Sequence, residues 1–296
     1  MTPGDAARIS WTRNAEDRYP YGPVSPDPDR FEPIGFPPPW PTRPWIYGNV
    51  IASANGVVAW RRRRPDDDPV RAIAGGDFSR PGRRADTRLL RYLRACADAV
   101  SVGAQTLRDQ PGLILTPGDV AREPAKAFYR FRATHGLRRV PLQVVYSQHG
   151  RLDLDVPLFN TPGLEVIVVT TGAGAGLLRL RGSEAKGIIL LEAGEDIVDS
   201  AGLIKAHERL LDEHGIRYLD CEGGAIVLDA LHRAGILDEV FVTVSDVHVE
   251  PAEHDGVKRL FAFEAEGASL VAEGRTESDA GYVFRRWRFN QHGWQR

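Results

Sequence analysis

The 296-residue chain is poor in sulfur, with two Cys and one Met. Cys96 and Cys221 are too far apart for a CxxC pair and too few for a disulfide framework, so a reducing cytoplasm is expected. Net charge is also missing: 38 Lys+Arg against 40 Asp+Glu leave −2. A general nucleic-acid or membrane-surface binder would carry a basic excess, and neither partner is expected. No run approaches the ~18 apolar residues of a membrane span. The N-terminus holds Asp5, Arg8, Arg13, Glu16 and Asp17 and does not read as a signal peptide. HExxH and GxSxG do not occur. His207 and His214 sit among charges on one helical stretch and read as solvated, and His248 and His254 lie in a polar segment, so no metal is expected.

Proline, by contrast, is concentrated. Eleven of the 21 prolines fall in residues 1–44, including Pro37, Pro38, Pro39 and Pro41. Such a stretch favours extended or turn conformations over regular elements. With Trp45 just beyond it, it also carries Trp11, Tyr19, Tyr21, Phe31, Phe36 and Trp40, an unusual load for a disordered tail. Residues 1–42 are therefore expected to form an arm that wraps the body or a partner subunit, and residues 43–296 a single domain.

In the body, apolar runs alternate with amphipathic ones. Trp45–Ala54 reads as a buried strand ending in the Asn55-Gly56 turn. Residues 60–85 read as a charged loop in which Arg61–Arg64 face Asp66–Asp68. A helix is expected over Asp86–Ala97 with Asp86 as its cap, and another over 122–135. Short strands are expected at Ala99–Gly103, Pro141–Ser147, Leu164–Thr171, Gly187–Glu192, Ile216–Cys221 and Asp238–Ser245. Helices are expected at Ser200–His214, stopped by Gly215, and from Gly224 to Ala234, stopped by Gly235. Ala268–Gly274 and Tyr282–Phe289 read as a closing hairpin. This order predicts an α/β fold with a central mixed, mainly parallel sheet and an antiparallel C-terminal hairpin.

Three segments have the composition of a ligand site. Glu222-Gly223-Gly224-Ala225 joins a buried strand to a helix, where α/β sheets bind ligands and helix N-termini hold anions. Thr170–Gly176, TTGAGAG, follows a strand, but its glycines miss the GxGxxG spacing; it reads as a flexible loop at a cofactor rim. Val102–Leu113 follows a strand with a glycine, a threonine and a turn.

Taken in order, these segments resemble the reductase of riboflavin biosynthesis, the C-terminal domain of the bifunctional deaminase/reductase, in the dihydrofolate-reductase-like family. NVIASANG at 49–56 resembles the family's opening strand, which ends Ser-Leu-Asp-Gly; Asn55 stands at the Asp. LRACADAVSVGAQT at 93–106 and DQPGL at 109–113 resemble the family's Leu-Arg-Ala, Val-Gly-Ala-x-Thr and Asp-x-Pro-x-Leu stretches, with one residue fewer between Thr106 and Asp109 and no Arg after Leu113. Val144–Ser147 and Glu222-Gly223-Gly224 with Leu228, Leu231 and Gly235 resemble later strands and the C-terminal signature.

The resemblance implies a three-layer dihydrofolate-reductase-like fold, NADPH as cofactor and a homodimer. It implies reduction of the ribosyl group of a ribosylaminopyrimidine phosphate to a ribityl group. Cofactor contacts are expected at Thr106, Asp109, Ser147, Thr170, Gly223, Gly224, Ala225 and Ile226. Substrate contacts are expected at Asn49, Arg94, Leu113 and Glu222, with Arg94 the candidate for the phosphate. No zinc signature of the deaminase partner is present, so a stand-alone reductase is expected. The alternatives are a same-fold reductase of another small molecule and a non-catalytic nucleotide-binding protein.

Overall fold

The computed structural model describes residues 8–13, 34–64, 66–119, 125–197 and 199–290. Tyr19, Tyr21 and Phe31 of the arm and the start of the expected 122–135 helix lie outside them. In chain order the elements are β1 Ile9–Arg13, β2 Trp45–Ala52, β3 Val57–Ala59, α1 Pro69–Ile73, α2 Pro81–Cys96, β4 Ala99–Gly103 and α3 Ala104–Asp109. There follow α4 Ala125–Thr134, β5 Leu142–Ser147, β6 Val166–Thr170, α5 Gly172–Leu180, β7 Ile189–Glu192, α6 Ser200–His214 and β8 Tyr218–Cys221. The chain closes with α7 Ala225–Arg233, β9 Glu239–Ser245, β10 Lys258–Arg259, β11 Ala268–Thr276 and β12 Asp279–Phe289. They form two compact units, one from Met1–Tyr19, Gly48–Leu90 and Asp238–Arg296, the other from Pro20–Tyr47 and Arg91–Leu237.

The first unit is antiparallel. β1 pairs β11, β11 pairs β12 in the expected hairpin, and β12 pairs β9. Along β12, Tyr282, Phe284 and Arg286 are buried at period two, as one face of a strand requires. Arg286 is tolerated there because Glu239, fully buried on β9, accepts from its Nε at 3.1 Å and its Nη2 at 2.7 Å. The same carboxylate accepts from Arg288 Nε at 2.5 Å. Elsewhere Arg80 bridges Asp246 and Asp279 and lies over the Tyr282 ring. In the arm, β1 places Trp11 beside Phe284, 6.4 Å between centroids.

Two sequence expectations are corrected in this unit. Residues 60–85 are not all loop: Asp68 caps α1, accepting from Arg71 N at 3.1 Å, and buries Ile73. Arg63 and Arg64 pair with Asp255 and Asp66 at the surface. The next helix, α2, begins at Pro81, not at an Asp86 cap. Proline presets the first helical turn, and Gly82 lets that turn lie on Tyr282, whose Cδ2 would stand 2.1 Å from an added Cβ. Asp86 is buried inside the helix, paired with Arg83.

The second unit is parallel, in the order β8-β4-β5-β6-β7. β4, β5 and β6 are buried along their whole length, which is why they read as continuous apolar runs. The fully buried Arg132 on α4 donates through Nη1 to the carbonyls of Ala95 and Ala97, satisfying the last turn of α2. Phe36 of the arm stacks on Tyr47 at 4.5 Å, and the hydroxyls of Tyr92 and Tyr218 donate to the carbonyls of Ile34 and Pro37. Thus the described parts of the arm add a strand to one unit and a packed segment to the other.

Two more expectations fail here. TTGAGAG is not a flexible loop: Thr171 Oγ1 accepts from Gly174 N at 3.0 Å and starts the nine-residue α5. An added Cβ on Gly174 would stand 2.1 Å from Thr170 Oγ1 and 2.9 Å from Gly150 N, so that glycine permits close packing. His207 is not solvated but fully buried, on the α6 face shared with Leu203, Ala206 and Leu210. Its ring nitrogens lie 2.8 Å from Tyr146 Oη and 2.7 Å from Leu203 O, so a neutral ring satisfies both. Burial pushes its pKa down to about 4.

Candidate functional site

In the parallel unit the carboxyl ends of the strands align. The register sets Ser101 beside both Cys221 and Val144, and Ser147 beside Thr170. Glu222 N donates to Ser101 O at 2.8 Å, which fixes the residue after β8 beside β4. The expected Gly223-Gly224 turn then leads straight into α7. Gly223 is required by space, since an added Cβ would stand 2.9 Å from Val227 Cβ. Gly224 is the helix cap, and no side chain caps the helix. The first-turn N–H groups, Ala225 and Ile226 among them, have no carbonyl four residues earlier within the helix and point outward as an anion site would. Ile226 is 60% exposed beside them. Thr106 on α3 is adjacent: its Oγ1 would be 3.9 Å from a Cβ on Gly224.

Arg94, in the last turn of α2, reaches Glu222. Its Nε and Nη2 donate to Oε1 and Oε2 at 2.5 and 2.6 Å, a bidentate pair about one-tenth exposed on each side. Its Nη1 donates to Thr116 O at 3.1 Å, so all three guanidinium nitrogens are engaged. Burial works against the charge on Arg94, but Glu222 outweighs it and raises the pKa above the usual arginine value. The loop carrying Leu113 and Thr116 is clamped by the fully buried Gln143. Its amide donates to Leu115 O at 3.1 Å and accepts from Leu115 N at 2.9 Å.

The model of the RibD C-terminal domain family matches residues 44–248. The chain belongs to the RibD C-terminal domain family. No curated protein matches it. Among solved structures it is similar to a pyrimidine reductase-like protein of Corynebacterium diphtheriae, at 22% identity and a TM-score of 0.60, over 83% of this chain and 91% of that one. It is also similar to RibD of Acinetobacter baumannii, at 17% identity and a TM-score of 0.55; this covers 84% of the chain but 58% of that protein. A third is the riboflavin biosynthesis reductase Rib7 of Saccharomyces cerevisiae, at 16% identity and a TM-score of 0.52, over 84% and 91%. At these identities the likeness is one of fold. The fold is dihydrofolate-reductase-like: a mixed sheet with parallel strands, an antiparallel hairpin and helices on both sides.

Within the RibD C-terminal domain frame, the expected residues separate into groups. Arg94 and Glu222 meet directly, and Thr106 lies beside Gly224. Asp109 accepts from Gln105 Nε2 at 2.9 Å along α3. Ser147 and Thr170 are buried and joined, Thr170 Oγ1 donating to Ser147 O at 2.6 Å. That hydroxyl stitches β5 to β6. Asn49 belongs to the other unit, on β2, and its Nδ2 is buried with no hydrogen-bond partner. Asn55, standing at the family's Asp, donates to Val249 O at 2.7 Å and accepts from Val249 N at 3.2 Å. A carboxylate could not make the first of these bonds.

Sequence reasoning missed three residues packed around these groups: Asp220, fully buried on β8, Gln143 and Thr116. The first two had a signal, a polar residue inside an otherwise apolar strand. Thr116 had none, because it contributes only a backbone carbonyl.

Proposed function

We propose that the protein is an NADPH-dependent reductase that converts the ribosyl group of a ribosylaminopyrimidine phosphate to a ribityl group, acting as a cytoplasmic homodimer. Family membership supports the reaction class. The observation that carries the cofactor reading is the uncapped N-terminus of α7 behind Gly223-Gly224. Ala225 and Ile226 N–H would hold the cofactor's pyrophosphate there, with Thr106 alongside. NADPH, when bound, supplies the hydride.

The remaining work is positioning. Arg94 holds the Glu222 carboxylate rigid at the strand's end, facing the substrate's polar groups. With its three nitrogens engaged, Arg94 acts first through Glu222, and a substrate phosphate meets a guanidinium already shared.

Gly224→Asp tests the cofactor site cleanly. At φ −59 and ψ 173 the position takes any residue, and nothing closer than 3.9 Å meets its Cβ. An aspartate there is a good helix cap, so the variant should melt no lower than the parent. Its carboxylate would occupy the first-turn donors and repel phosphate, lowering NADPH affinity about a hundredfold. Fluorescence titration measures this, and unchanged affinity in a folded variant would refute the site.

A further inference from the structure

Behind Glu222, β8 carries a second acid for which the reaction above has no use. Asp220 lies on β8 and Glu222 one residue past its end, held beside β4 by its N–H on Ser101 O, so the extended chain carries the two acids two residues apart on one face. Asp220 is fully buried, and neither of its carboxyl oxygens has a hydrogen-bond partner. The charged and titratable groups around it are Arg94 from α2, the Cys221 thiol from β8, Glu222 just after β8, and the Tyr47 phenol from β2. None of them is free to serve it. Arg94 is engaged by Glu222 and Thr116 O, and Tyr47 Oη donates to Leu93 O at 2.8 Å. Two acids therefore face one guanidinium, and the geometry gives that guanidinium to Glu222. A carboxylate left without a partner in such a place is costly enough that it takes up a proton instead.

We propose that Asp220 is a positioning residue, a neutral carboxylic acid beneath the Arg94–Glu222 pair that leaves the guanidinium's Nε and Nη2 to Glu222. Glu222 then meets the substrate with both oxygens held by Arg94. Burial pushes the Asp220 carboxyl well above the ordinary carboxylate range; Glu222 adds to the push and Arg94 opposes it. Were Asp220 ionised, it would compete for Arg94 and loosen Glu222 at the strand's end. Packing alone does not explain the residue, because a valine would fill a buried strand position with no polar atom left unpaired. The role in catalysis rests on the reductase reading above; the protonation of Asp220 does not.

Asp220→Asn keeps the shape of the neutral acid and cannot ionise; Asp220→Val removes the polar atoms altogether. Urea denaturation of the full chain and both variants from pH 5 to 9 reads the proton. In the unfolded parent, Asp220 ionises near 3.9, while the folded group holds its proton, so rising pH favours unfolding of the parent alone. Both variants should gain on it, by up to about tenfold in the folding equilibrium constant per pH unit. A difference that is flat with pH, or that turns toward the parent as pH rises, overturns the neutral acid. NADPH oxidation with the ribosylaminopyrimidine phosphate reads the positioning. Beyond the pH range of the denaturation series, where the folded Asp220 gives up its proton, Asp220→Asn should carry the alkaline fall of kcat/KM to higher pH, which a purely structural residue would not do. An unchanged profile refutes the role. If the parent turns over no such substrate, the reductase reading falls and the positioning role with it, while the denaturation series still decides whether Asp220 is neutral.

Discussion

In the antiparallel unit two guanidiniums close on one carboxylate; in the parallel unit two carboxylic groups face one guanidinium. Glu239 takes Arg286 and Arg288 together, and every polar atom of its carboxylate is used. Asp220 and Glu222 stand near Arg94, and only Glu222 is bonded to it. The first arrangement is closed and needs nothing further. The second leaves a buried acid unsatisfied at the carboxyl end of a parallel strand, where α/β sheets place ligands. A buried acid that is fully paired serves the fold, whereas a buried acid left unpaired beside a ligand-binding strand end points to a site.

The largest expected effect breaks the closed arrangement. Glu239→Leu removes the carboxylate to which the Arg286 guanidinium, 4% exposed, donates. Removing one partner of a buried pair costs about 3–5 kcal/mol, to be read by urea denaturation at pH 7. A loss under about 1 kcal/mol would mean that Arg286 finds solvent or another acceptor, and the contrast between the units would dissolve.

A second effect belongs to the parallel unit alone. The unfolded chain protonates His207 below about 6.5, but the buried ring resists until about 4. Its stabilising contribution is complete above 6.5 and is lost as pH falls through that window, reaching about 3 kcal/mol near pH 4. His207→Gln, which cannot take the proton, should flatten that part of the stability-against-pH curve. If the curve keeps its acid slope in the variant, the slope comes from carboxylates instead.

In both units the sequence told more about strands and turns than about tertiary partners. Apolar runs placed β4 to β9 and the C-terminal hairpin within a few residues. Gly215, at φ 65, ended α6 as expected because a left-handed residue is needed there. The Glu222-Gly223-Gly224 turn was visible since strand, glycines and helix lie in one short segment. Other features depend on tertiary partners. The pairing of Arg94 with Glu222 spans 128 residues, and no local pattern sets an arginine's partner. His207 looked solvated because Lys205, Glu208 and Arg209 surround it in sequence, yet its spacing of four from Leu203 puts it inward. Asn49, assigned by resemblance, shows a buried free donor only once β2 is folded.

The smallest effect sharpens the comparison at α5, where a glycine-rich segment resembling a phosphate loop proved to be a packed helix. Gly174→Ala would drive a methyl group into Thr170 Oγ1, whose hydroxyl joins β5 to β6, and toward the backbone of Gly150. Overpacking of this kind costs about 1–3 kcal/mol, against which alanine's better helix propensity returns about 1 kcal/mol. Gly176→Ala, two residues on, meets nothing within 4 Å and should stabilise the same helix by up to about 1 kcal/mol. Thermal melts of the two variants should therefore move in opposite directions, with NADPH affinity unchanged in Gly176→Ala. Equal shifts would show that α5 is not pressed against Thr170. A loss of NADPH affinity in Gly176→Ala would return this segment to the cofactor site, and α7 would no longer be sufficient as the phosphate-binding helix.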